Sequence, residues 1–177
     1  MNKLAIFIDG AYLDKIAKRE AGGSPDLELL PENLAQGLPV LRTYYYDSPP
    51  FQSDPPTPEE RDFTARKNMR FSRLEQLPNF VVRKGKCVKR DTGFIQKQVD
   101  VLLVIDLLTL SFRQAITHAA LVTGDSDFVP AIDIVKAEGI EVWLYHGGHI
   151  GPLNDLWQAA DKRFKLPTDF LPLLPDQ

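Results

Sequence analysis

The run Leu4-Ala5-Ile6-Phe7-Ile8, broken by Asp9-Gly10, constrains this chain more than any other stretch. Successive side chains of a strand point to opposite faces, so five apolar residues in a row demand cover on both. A sheet with one wet face would alternate apolar and polar residues instead. The run therefore predicts a central strand of a parallel sheet with helices on either side. AALVTG (119–124) and IEVWLYH (140–146) repeat the pattern, and β-branched, aromatic VLRTYYY (40–46) reads as a further strand.

Helical segments fall between the strands. AYLDKIAKRE (11–20) stops at Gly22-Gly23, and a short helix is expected near 31–36. Residues 47–58 hold five prolines and read as a loop. The next helix spans 57–77. Thr57 suits its N-cap, Pro58 its first position and Glu60 the third residue of a capping box. FVVRKGKCVKR (80–90) reads as a strand or strand pair with a turn at Asp91-Thr92-Gly93. QVDVLLVIDLLTLSFRQA (98–115) reads as a buried helix, and DFVPAIDIVKAEG as a helix closed by Gly139. LNDLWQAADKRF (153–164) reads as a last helix. Strands alternating with helices predict an α/β fold, a three-layer α/β/α sandwich around a mostly parallel sheet.

In such a sheet the site lies beyond the carboxyl ends of the strands. Asp9 ends the first strand, and Asp125 and Asp127 follow a later one in LVTGDSDF. Asp100 opens the long apolar helix and can reach the same rim if that helix runs back over the sheet. Asp106, six residues on, turns elsewhere. Each acid also has a structural reading: Asp125 as a helix cap, Asp127 and Asp100 as helix-start acids, Asp9-Gly10 as a turn. Convergence favours the other reading. Two carboxylates ~4 Å apart repel by ~4 kcal/mol at an effective dielectric of 20. Four together take up protons or bind a cation, and oxygen ligands without His or Cys point to Mg²⁺ or Mn²⁺.

Charge supplies a second clue. Residues 61–97 carry 11 Lys/Arg against 3 Asp/Glu, a local +8, while the rest carries 10 against 21, leaving a net charge of -3. Arg66, Arg70 and Arg73 form a stripe at helical spacing, and Arg83, Lys84, Lys86, Lys89 and Arg90 follow. A polyanion partner such as an RNA backbone is one expectation, a solvated surface the other. An acid-held divalent ion suits phosphate-ester hydrolysis. Tyr44, Tyr45, Tyr46 and Phe94 offer stacking faces, or serve as core. Cys87 is the single cysteine, which excludes a disulfide framework and a cysteine zinc site. The N-terminus lacks the pattern of a signal peptide and no run approaches membrane-helix length, so a cytoplasmic protein with no membrane association is expected.

FIDGAYL (7–13), KQVDVLLVIDLLTL (97–110) and LVTGDSDFVPAIDIVKAEGIEVWLYH (121–146) resemble the NYN domain family, in its LabA-like branch, within the PIN-like nucleases. The resemblance implies a PIN-like domain over residues 1–160, with 161–177 as a tail packing on it or extending it. It implies a metal-dependent ribonuclease site with the acid roles on Asp9, Asp100, Asp125 and Asp127. Thr123 and Ser126 match polar positions beside that site, and Lys97 a basic position facing the scissile phosphate. The chain departs from the family pattern at Tyr12, where many members carry Asn. Regulatory roles attached to LabA-like relatives make a non-catalytic RNA- or protein-binding function the alternative. An aspartate-nucleophile phosphatase would need an acid at position 11, where Ala11 stands. His146 and His149 have no third ligand in sequence, and turn chemistry accounts for Gly147, Gly148 and Gly151. The apolar tail FLPLLP covers the core or forms a contact with a homodimer or protein partner.

Overall fold

The computed structural model describes residues 2–90, 93–149, 151–166 and 170–174; the side chains of Arg90, Phe94, Ile95 and Gln96 are outside that description, as is the turn expected at Asp91-Thr92. Six parallel strands make the central sheet: β1 Leu4–Asp9, β2 Val40–Asp47, β3 Phe80–Lys84, β6 His118–Val122, β7 Glu141–His146 and β8 Lys162–Lys165. Their spatial order is β3-β2-β1-β6-β7-β8. β1 lies at the centre, with Ile8 in register with Tyr45 of β2 and Val122 of β6. A separate antiparallel hairpin, β4 Lys86–Arg90 and β5 Gly93–Lys97, projects beyond the end of β3.

The apolar run of β1 is fully buried, as a strand covered on both faces must be. Ala5 and Phe7 pack with Tyr44 and Tyr46 against α4 Val99–Phe112 and α5 Val129–Ala137. Leu4, Ile6 and Ile8 pack with Tyr45 against α1 Gly10–Ile16, α2 Leu30–Leu34 and α3 Pro58–Glu75. The predicted three-layer architecture is the one observed. Tyr44, Tyr45 and Tyr46 are all core residues, none presented for stacking.

Local chemistry sets the helix ends. Thr57 Oγ1 accepts from Glu60 N at 3.2 Å while the Glu60 carboxylate accepts from Thr57 N at 2.9 Å, the expected capping box. A π-helical turn, Ala17–Ala21, prolongs α1 and ends at Gly22, whose φ is +72°. Three expectations need correction. The 98–115 helix is buried on one face only: Val101, Ile105 and Phe112 are more than half exposed. The 80–90 stretch bends away at Gly85, where a Cβ would stand 2.5 Å from the Lys97 carbonyl oxygen, so β4 leaves the main sheet. The last helix, α6 Asn154–Ala159, is shorter than 153–164, because Lys162–Lys165 extends along β7. Beyond it, Asp26 N donates to Pro172 O at 2.8 Å and Phe170 meets Tyr145 edge-on.

Candidate active site

Parallel pairing carries the acids to one rim. Asp9 ends β1, and the turn after neighbouring β6 carries Thr123, Gly124, Asp125, Ser126 and Asp127. The hairpin returns the chain to that end of the sheet, so Asp100 sits in the first turn of α4 above it. Asp9 and Asp125 line an open cleft of ≈ 320 Å³, together with Tyr12, Lys15, Gly124 and Ser126.

Each acid is oriented by backbone. Asp9 caps α1, its Oδ1 accepting from Tyr12 N at 3.1 Å. Asp125 caps the 3-10 turn Ser126–Phe128, its Oδ1 accepting from Asp127 N at 2.9 Å. Asp125 N in turn donates to Thr123 Oγ1 at 3.2 Å. Thr123 is fully buried, Ser126 is half-buried, and Asp127 and Asp100 are exposed. The capping reading of Asp125 thus holds, and Asp9-Gly10, read as a turn, proves to be the start of α1 with Asp9 as its N-cap.

The acids share an electrostatic field. Burial raises the Asp9 carboxyl to about 6, and the charges of Asp100 and Asp47 add to the shift. Asp100 is raised by loss of water first, then by Asp125 and Asp127. Among the described residues none of the four is ion-paired. An all-carboxylate donor set with no ion pair among the described residues fits a hard divalent ion in its chemistry. Among the described residues no three His, Cys, Asp or Glu side chains yet stand close enough to form a coordination shell, so an ion would have to draw the carboxylates together.

Sequence reasoning missed Asp47, which is fully buried at the end of β2. Its carboxylate accepts from Ser48 N at 2.8 Å and from Tyr45 OH at 3.3 Å, and pairs with Lys67. The acid closing YYYD was its signal, but only the strand order reveals that β2 neighbours β1. Lys15 was missed too, and it supplies a cation to the cleft. Tyr12 lines the cleft, but its hydroxyl is used elsewhere. Its ring lies over Gly124, where a Cβ would stand 2.5 Å away, and its hydroxyl accepts from Gly147 N at 3.1 Å. Burial raises its pKa. Asp106 lies apart as expected, buried against the Arg83 guanidinium and Tyr46 OH.

The basic residues divide into two groups. Arg70 pairs with Asp14 at 2.8 Å, Arg73 with Glu28, Arg83 with Asp106 at 2.8 Å and Lys84 with Glu75 at 2.7 Å. Arg66, Lys86, Lys89 and Lys97 are exposed and in no ion pair among the described residues. Three of these four ride on the hairpin. His146 is buried against Trp157, its Nδ1 at 2.7 Å from Gly147 O, while His149 is exposed.

The NYN domain family model matches residues 3–166. A protein of unknown function from Vibrio parahaemolyticus superposes with a TM-score of 0.69 at 20% identity, covering 97% of this chain and 96% of that one. That likeness is one of fold. MurG from Acinetobacter baumannii matches more distantly, with a TM-score of 0.44 at 11% identity over 97% of this chain and 43% of its own. No curated protein matches.

Proposed function

The chain belongs to the NYN domain family, and from that premise we propose that it is a Mg²⁺- or Mn²⁺-dependent ribonuclease of the PIN-like, LabA-like type, hydrolysing RNA phosphodiester bonds. The observation that carries the reading is the adjacency of β1 and β6, which sets Asp9 beside the Asp125–Asp127 turn in one cleft. Asp9, Asp100, Asp125 and Asp127 would hold one or two ions. A bound ion of this kind supplies Lewis acidity toward a phosphoryl oxygen and lowers the pKa of water.

The chain's own residues do the rest. Backbone N–H groups of Tyr12 and Asp127 hold Oδ1 of Asp9 and of Asp125, which orients each carboxylate at the cleft. Ser126 and Lys15 line the cleft and can contact a phosphate, with Thr123 behind them bracing Asp125 N. Lys97, Lys86, Lys89 and Arg90 on the hairpin, with Arg66 on α3, steer the RNA backbone. Arg70, Arg73, Arg83 and Lys84 contribute less to that contact, because carboxylates of the same chain already claim them. The division into a domain of 1–160 and a tail of 161–177, and a cytoplasmic location, belong to the same proposal. No helix among the described residues is long and apolar enough to cross a membrane.

Thermal unfolding tests the site independently of turnover. Millimolar Mn²⁺ should raise the Tm of the wild type and leave Asp9→Asn and Asp125→Asn unmoved. A wild-type Tm indifferent to Mn²⁺, with RNA still bound, would favour the non-catalytic regulatory alternative.

A further inference from the structure

On the same rim as the acidic cleft lies a larger cavity of ≈ 430 Å³ that the ribonuclease reading leaves unused. Ser48 and Phe51 reach it from the loop after β2, Glu60, Phe63 and Lys67 from α3, and Cys87 from β4. Its volume falls in the range of small-ligand pockets. Phe63 is 47% exposed, a large aromatic standing in water at the wall. Ser48 is 2% exposed, and its hydroxyl has no hydrogen-bond partner among the described residues. A buried hydroxyl left unmatched is a cost that a ligand's donor or acceptor relieves.

Two features tie the cavity to the acids and to phosphate. Lys67, in its wall, pairs with Asp47, whose charge reaches Asp9. Lys89 shares a face of β4 with Cys87 by strand alternation, and its ammonium lies 6.0 Å from the Phe51 ring centroid. A purely apolar ligand would use neither the Ser48 hydroxyl nor the Lys89 ammonium, and a bare phosphate would leave the exposed Phe63 ring in water. A nucleotide uses all of them, with its base against the rings and its phosphate at the ammonium.

We propose that this cavity receives one unstacked nucleobase of single-stranded RNA, whose backbone then continues into the acidic cleft. The inference rests on RNA being the ligand of that cleft. It also gives the protein a preference for single strands, because a paired base must first leave its stack.

Binding of the full chain to labelled oligouridylate and oligoadenylate hexamers in Ca²⁺ tests it, with hexamer integrity checked afterwards. A matching set lacks one base at each position in turn. The expected result is one position where base removal weakens binding on the order of tenfold. Phe63→Ala, folded with an unchanged Tm, should weaken binding of the intact hexamer similarly and of that abasic hexamer hardly at all. Bound hexamer should also slow iodoacetamide alkylation of Cys87, the chain's single cysteine. Equal affinity at every abasic position, an indifferent Phe63→Ala, or unprotected Cys87 under saturating RNA each overturns the pocket. Base-dependent binding without cleavage in Mn²⁺ would sink the ribonuclease reading and keep the pocket. Cleavage without base dependence would do the reverse, and no RNA binding at all overturns both.

Discussion

Asp9 is the residue at which folding and the proposed chemistry oppose each other. Burial holds its carboxyl at about 6 against 3.8 for an ordinary aspartate. The native protein therefore binds this proton more tightly than the unfolded chain does. The resulting destabilisation is fully present above pH ~6, shrinks as the pH falls, and is gone below pH ~4. Its size is about 3 kcal/mol. Asn caps a helix as well as Asp, so Asp9→Asn should be more stable than wild type at pH 7.5 in EDTA, by ~1–3 kcal/mol, and equal to it near pH 4. Urea unfolding at the two pH values reads this directly. A variant less stable at pH 7.5 would mean that the Asp9 charge is already compensated. Tyr12 supports the site from the side: Tyr12→Phe removes the acceptor of Gly147 N–H and should cost ~1 kcal/mol in the same assay. Asp9, Asp125 and Asp127 were legible in sequence because each follows an apolar run at a strand's end. Asp47 has the same signal, yet its place beside Asp9 depends on strand order, which local pattern does not encode.

Among the elements, α3 does most to shape the rim, since it brings Phe63 and Lys67 to one cavity and Arg70 to Asp14. Its start is held by Thr57, and Thr57→Ala should lower stability by ~1 kcal/mol, measured as a shift of the urea midpoint at constant m. A change of m as well would mean that the whole 48–57 loop had come loose. α3 was legible almost residue by residue, because its capping box, N1 proline and apolar spacing agree with one another. β1, β6 and β7 were legible from their apolar runs. β8 was not: Lys-Arg-Phe-Lys has no strand pattern, and what makes it extended is pairing with β7 at the sheet edge, a tertiary effect. The α4 helix misled in the opposite direction, since its apolar residues run all the way round while only one side meets the sheet.

Across the whole molecule, the +8 segment is not one continuous cationic face. Part of it holds the fold together through ion pairs with Asp14, Glu28, Glu75 and Asp106, while three of the four residues found exposed and in no ion pair among the described residues, Lys86, Lys89 and Lys97, sit on the hairpin. Arg83→Met should cost ~2 kcal/mol by stripping Asp106 of its partner, with RNA affinity nearly unchanged. Lys86→Ala and Lys89→Ala should leave stability alone and each reduce the salt dependence of RNA binding by about one phosphate contact. The same chain thus ties some of its basic residues to its own carboxylates and leaves Arg66 and the hairpin lysines outward. Cleavage of a labelled single-stranded RNA by the purified chain tests the proposed ribonuclease site most directly, in Mn²⁺ with an EDTA control and with Asp125→Asn alongside. The account predicts cleavage by the wild type in Mn²⁺, abolished by EDTA and by the substitution. Asp125→Asn cleaving at the wild-type rate, or wild-type cleavage that persists in EDTA, would contradict it.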